Sequence, residues 1–152
     1  MPEVATIGSL QLDFTGFSET NIHWNRKARE TLTTQLHSHV GHNKVVCACN
    51  VTTDQREGYH PGGAMLAAVG PQQGRLLRSG SDPWGRFSWM ELRGARDEGI
   101  LLVSAYRVSQ TKGTKAGPTT AYTQQLHQMI KEEDHTLDPR TRFLIDLRRL
   151  IT

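Results

Sequence analysis

Two cysteines in 152 residues are too few for a disulfide framework. Cys47 and Cys49 lie two positions apart, so on a strand they project from one face and cannot readily pair with each other. They read as reduced thiols, small buried groups of an intracellular chain. Long apolar runs are also missing. No stretch approaches the roughly 20 residues of a membrane span, and residues 1–12 lack the basic flank and apolar core of a secretory leader. The expectation is a soluble chain, cytoplasmic or nuclear, with no membrane partner. A net charge of +3 falls short of the clustered excess that argues for nucleic-acid binding by itself, although it allows a phosphate-containing partner. There is no internal repeat and no low-complexity segment. What remains is ordinary globular composition, 36% hydrophobic and 22% charged, long enough for one domain with a real core.

Residues 10–17 combine alternation with apolar clustering and are bounded by Gly16 and Asn21, which predicts a buried strand that carries Glu19 to the rim of a sheet. Over residues 26–39 the positions Ala28, Leu32, Leu36 and Val40 recur every four residues, with Asn25 as a cap and Gly41 as a stop. That spacing predicts an amphipathic helix. Strands are expected over residues 44–51 and 64–69, separated by a loop over 52–63, and again over 74–78, 87–92 and 100–107, with turns over 79–85 and 93–99. This is a run of antiparallel hairpins. A polar connection over 108–118, containing Lys112 and Lys115, leads to Thr119-Thr120, which can cap a helix striped by Tyr122, Leu126, Met129 and Ile130. Asp138-Pro139 opens a last helix striped by Phe143, Leu144, Leu147, Leu150 and Ile151. Its stripe runs to the final residues without a polar stop, as in a truncated domain or in a helix that simply forms a carboxy terminus.

Several of these segments together resemble the endonuclease/exonuclease/phosphatase family, which has the DNase I-like fold. Phe17-Ser18-Glu19-Thr20-Asn21 is similar to the family's early strand end, whose glutamate holds a divalent metal. Pro61-Gly62-Gly63-Ala64-Met65 resembles its Gly-Gly strand start, Asp82-Pro83-Trp84-Gly85-Arg86-Phe87 its Asp-x-x-Gly-Arg turn, and Ser104-Ala105-Tyr106-Arg107 the strand ending in a tyrosine that orients the reacting phosphate. The helix from Pro139 resembles the one preceding the family's Gly-Asp-x-Asn strand. The resemblance implies an α+β chain, part of a four-layered α/β sandwich of mostly antiparallel hairpins with flanking helices, with residues 1–152 forming a single, incomplete domain. It implies Glu19 as a Mg²⁺ ligand, Tyr106 as a catalytic residue, nucleic acid as partner, and a phosphodiesterase or endonuclease similar to the DNA-cleaving domains of mobile elements; Arg107 is a second catalytic candidate because its fork suits a phosphate beside Tyr106. No Gly-Asp-x-Asn, later metal aspartate or Ser-Asp-His segment occurs, so the expected product is a fragment inactive alone. The alternative is a non-catalytic remnant that binds nucleic acid or protein, associates with itself, or pairs with a missing carboxy-terminal half.

Elementary chemistry runs parallel to that resemblance. Mg²⁺ prefers carboxylate and phosphate oxygens and often takes only one or two protein ligands, so Glu19 is a sensible anchor. Tyr106 and Arg107 could hold developing phosphate charge. Asp82 and Arg86 most simply form a turn with a local ion pair. His37, His39 and His42 with Cys47 and Cys49 have ligand chemistry for zinc, but His37 and His39 face apart on a helix, and a solvated helix face with buried thiols is the simpler expectation. Tyr59, Trp84 and Trp89 interleave with Arg78, Arg86 and Arg93 as base-stacking aromatics would, though strand alternation more simply buries them.

Overall fold

The computed structural model describes residues 2–50, 60–96, 98–109, 120–132 and 138–152. Its elements in chain order are α1 (Pro2–Ser9), β1 (Phe14–Ser18), α2 (Arg26–Val40), β2 (Asn43–Ala48), β3 (Ala64–Val69), β4 (Leu76–Ser81), β5 (Phe87–Arg93), β6 (Gly99–Ala105), α3 (Ala121–Lys131) and α4 (Pro139–Ile151). The strands form two antiparallel three-stranded sheets, ordered β1-β3-β2 and β4-β5-β6. The chain is mixed α+β.

The two sheets face each other across a core that alternation on β3 and β5 creates. In β3, Leu66 and Ala68 meet Met90 of β5, with Phe14, Val46, Leu76 and Leu102 packed around them. The alternate β3 residues, Met65 and Ala67, point the other way and join Ile7 of α1, Trp24, Leu32 and Leu36 of the α2 region, Cys47 and Cys49. Every residue of β3 is therefore buried, because a period of two covers both faces only when each face has a partner layer. Three alanines among its six residues let the layers approach closely. The outer face of the second sheet carries Arg78, Trp89 and Glu91, with Arg78 paired to Glu91 and its guanidinium 5.9 Å from the Trp89 ring.

Helix α2 follows its sequence pattern closely. Leu32 and Leu36 are buried and Ala28 and Val40 pack beside them, while Asn25 Oδ1 accepts the Ala28 amide at 2.9 Å and the Gly41 amide closes on the His37 carbonyl. The amino-terminal expectation needs correction. Residues 2–9 are helical and β1 starts only at Phe14, because Leu10 and Leu12 lie 59% and 40% exposed and Gln11 turns the chain with φ 50°. β1 is an edge strand in which Thr15 alone is buried, so the expected buried strand is absent.

The strand expected from Gly74 is displaced as well. Gly70–Arg75 forms a 3-10 turn with Pro71 near its start, where a missing amide does no harm, and β4 then runs on to Ser81 through part of the expected turn. β6 ends at Ala105, which leaves Tyr106 and Arg107 just beyond it. Thr120 caps α3 through the Thr123 amide. The buried face of α3 is Ala121, Gln125 and Met129; of the expected stripe Met129 is buried, Tyr122 and Leu126 are half-buried and Ile130 is exposed. α4 likewise buries Pro139 and Phe143 but leaves Leu144 and Ile151 in solvent. It docks on the second sheet through its first two turns, where Phe143 meets Phe87 edge-on with ring centroids 6.3 Å apart. The expected loop over 52–63 lies outside the described residues up to position 59, as does the connection from 110 to 118 with Thr119.

Candidate functional site

One end of the sandwich collects the segments at 18–21, 60–63 and 104–107. β1 delivers the chain to Glu19, which adopts a left-handed conformation with φ 56°, followed by Asn21 with φ 52°. Asparagine tolerates that region, whereas glutamate pays a steric penalty of about 1–2 kcal/mol in it. The surroundings hold it there. The Asn21 amide donates to the Gly62 carbonyl at 2.8 Å, the Gly62 amide donates back to Asn21 Oδ1 at 3.0 Å, and the Thr20 amide donates to the Gly63 carbonyl at 3.3 Å. Thr20 Oγ1 in turn accepts from the buried Trp24 indole at 3.1 Å.

The second sheet supplies Tyr106 to the same place. Its amide donates to the Arg86 carbonyl at 2.7 Å, which fixes the backbone one residue past β6. Gly62 passes against the ring so closely that a Cβ there would sit 3.3 Å from two ring carbons. The Tyr106 hydroxyl donates to Glu19 Oε1 at 3.2 Å, and Ser104 Oγ donates to the Phe17 carbonyl at 3.0 Å. Two cross-sheet hydrogen bonds thus join the ends of β1 and β6. Glu19 and Tyr106, 87 residues apart in sequence, meet. Arg107 does not join them: it is exposed and forms no hydrogen bond or ion pair with a described residue.

Asp82 and Arg86 form more than a local pair. Arg86 is 3% exposed; its Nε and Nη2 donate to the two Asp82 oxygens at 2.9 and 2.7 Å, and Nη2 also donates to Asp146 of α4 at 2.9 Å. Asp82 Oδ2 also accepts the Trp84 and Arg86 amides. Burial works against the charge on Arg86, but the hydrogen bonds and charges of Asp82 and Asp146 outweigh it and keep the guanidinium protonated. That guanidinium stacks 4.4 Å from the Trp84 ring, with Arg142 of α4 5.7 Å from the same ring. Trp84 is buried, so it is not available for stacking on bases; Trp89 is half-buried under Arg78, and Tyr59 lies outside the described residues.

The zinc chemistry does not assemble. Cys47 and Cys49 are free thiols in the core, and burial, reinforced by Cys49, pushes the Cys47 thiol up to about 12. His37 and His42 meet edge-on at 5.6 Å. Among the described residues no three His, Cys, Asp or Glu side chains are placed to hold a metal ion.

A pair absent from the sequence reading is His23 with His60, whose rings stack 4.9 Å apart. The adjoining Pro61-Gly62-Gly63 was the available signal. Burial, with the charges of His60 and Arg29 adding to it, holds the His23 imidazole below its ordinary value of 6.5. A lowered native pKa means that the unfolded chain binds the proton first, so the native state loses stability as pH falls from about 6.5 towards the lowered value, and the loss levels off below it. Urea unfolding at pH 7.5 and 5.5 checks this: His23→Gln is expected to have the shallower pH dependence, and equal slopes for the two proteins would remove His23 as the cause.

In comparisons with known proteins, no family model matches this chain, and neither does any curated protein or solved structure.

Proposed function

We propose that the Glu19–Tyr106 end binds a divalent cation together with a phosphate group of a nucleic acid, as part of a DNase I-like domain of the endonuclease/exonuclease/phosphatase type, and that this chain binds without hydrolysing. The observation that carries the reading is the carboxylate of Glu19, held in a left-handed backbone conformation and hydrogen-bonded by the Tyr106 hydroxyl from the facing sheet. Backbone outliers held in place by their surroundings concentrate at binding sites, and this one coincides with the two residues that the family resemblance marks. Two facing antiparallel sheets, with α1 and α2 against the outer side of the first and Phe143 of α4 on Phe87 at one end of the second, support this reading.

The residues fit a loosely held Mg²⁺. Glu19 is exposed and offers Oε2 in addition to the oxygen that Tyr106 engages, and such an ion completes its shell with water and phosphate oxygens. When bound, it would polarise a phosphoryl oxygen. Tyr106 positions the carboxylate, and exposed Arg107, one residue on, supplies positive charge that draws a phosphate to this end. The sequence has no Gly-Asp-x-Asn or Ser-Asp-His segment to activate water, so binding is the expected activity.

Mn²⁺ as a paramagnetic probe tests this directly. Amide resonances of residues 19–21, 62–63 and 106 are expected to broaden first, Glu19→Gln is expected to weaken the effect at least about tenfold, and Tyr106→Phe severalfold. Broadening spread over other carboxylates and unchanged in Glu19→Gln would overturn the site. Mg²⁺-dependent nicking of supercoiled DNA that Glu19→Ala abolishes would overturn the non-hydrolytic half of the reading.

A further inference from the structure

The two flanks of the sandwich are guarded differently. On one flank β2 carries Lys44, while β4 carries Arg78 and a register irregularity between Leu76 and Arg78. Charges and bulges of this kind are how proteins prevent edge strands from pairing with other chains. The opposite flank has neither. β1 reads Phe-Thr-Gly-Phe-Ser and β6 reads Gly-Ile-Leu-Leu-Val-Ser-Ala, with no charge and no proline in either. β6 keeps an unbroken register with β5 from Phe87↔Ala105 to Arg93↔Gly99, and among the described residues no strand pairs with its other side. Between β1 and β6 runs an open cleft of about 320 Å³, with Phe14, Gly16, Leu66, Leu102 and Val103 in its lining. Phe17 and Ile100 are 42% and 41% exposed on this flank.

We propose that β6 is a self-association edge through which two copies of this chain pair antiparallel, about a two-fold axis near Leu102, into a continuous six-stranded sheet. The strand is self-complementary. That axis sets Leu101 opposite Val103 and Ile100 opposite Ser104, and an isologous contact of this kind closes after two copies. The charges at its ends agree: Glu98 precedes the strand and Arg107 follows it, both exposed and neither side chain paired with a described residue. Antiparallel pairing brings Glu98 of each copy beside Arg107 of the other, a match at both ends that an unrelated extended peptide has no reason to make. A seven-residue strand spans about 23 Å at 3.3 Å per residue, so the contact is smaller than a standard interface and the dimer is expected to be weak, in the micromolar range. This inference shares Arg107 with the phosphate-binding reading but rests on the β6 edge, and Val103→Lys, which leaves Glu19, Tyr106 and Arg107 in place, separates the two.

Sedimentation velocity on the full chain, from low to several hundred micromolar, tests it. The expected result is a dimer whose fraction rises with concentration. Val103→Lys, on the outward face of the edge strand, is expected to abolish it. Glu98→Lys and Arg107→Glu are each expected to weaken it severalfold, and the double reversal is expected to restore it, a rescue that loss of folding cannot mimic. A monomer at every concentration overturns the proposal, as does a dimer indifferent to Val103→Lys and to both charge reversals.

Discussion

Arg86→Ala is expected to lower the unfolding free energy by about 3–5 kcal/mol, the usual cost of leaving one member of a buried ion pair without its counter-charge. The Asp82 side chain is 5% exposed and Arg86 4%, so water cannot take over the lost partner. The same substitution frees Asp146 of α4 from Arg86, leaving it only Arg142 and Arg149 of its own helix among the described residues, and strips the nearer of two cations from Trp84. Asp146→Asn should cost less, because Asn keeps an acceptor for Arg86 and Asp82 retains its bidentate contact. Urea unfolding monitored by tryptophan fluorescence measures both. A loss below about 1 kcal/mol for Arg86→Ala would show that Asp82 is protonated or resolvated when its partner goes.

The second large effect is expected at Gly85, in the same turn. Its φ of 76° lies where a side chain is strained, and a Cβ there would stand 2.6 Å from the Asn50 amide nitrogen and 2.8 Å from the Cys49 carbonyl carbon. These are backbone atoms, so no rotamer change relieves the overlap. Asn50 forms a bridge with Trp84, and pushing it away opens the joint between the end of β2 and the 82–86 turn. Gly85→Ala should therefore cost about 2–5 kcal/mol, left-handed strain and overpacking combined. Gly74 is the control, with no positive φ and open space around it. Gly74→Ala should change stability by no more than about 1 kcal/mol, in the stabilising direction, through the unfolded state. Similar melting shifts for the two variants would show that the 82–86 turn gives way without cost.

Legibility in the sequence followed how local the deciding interactions are. The extent and caps of α2, the six buried residues of β3 and the start of β5 were readable because each depends on contacts within a few residues or on a clean period. The Glu19–Tyr106 end was approached through motif resemblance, which named both residues; their hydrogen bond joins positions 87 apart and has no local signature. Arg107 was named on adjacency to Tyr106, and being next to a site residue does not direct a side chain into the site.

The misreadings share a cause. Leu10 and Leu12 looked like strand residues because they are apolar, but no layer covers them. Of the expected stripes of α3 and α4, Met129 and Phe143 are buried, but the rest are not, and the buried faces also took in Ala121, Gln125 and Pro139. Hydrophobicity says that a residue gains by being covered; only the neighbouring layer determines whether it is.

By itself the sequence determined a mixed α+β chain with antiparallel strands, a capped amphipathic helix after the first strand, and an Asp-Pro-Trp-Gly-Arg turn carrying its own ion pair. The tertiary structure alone decided that this ion pair would reach Asp146 and anchor α4, that His23 would stack on His60, and that the two uncharged strands would fall on the same flank. Those outcomes depend on which face of each element meets another, and that is set when the two sheets pack, over distances along the chain that no local pattern records.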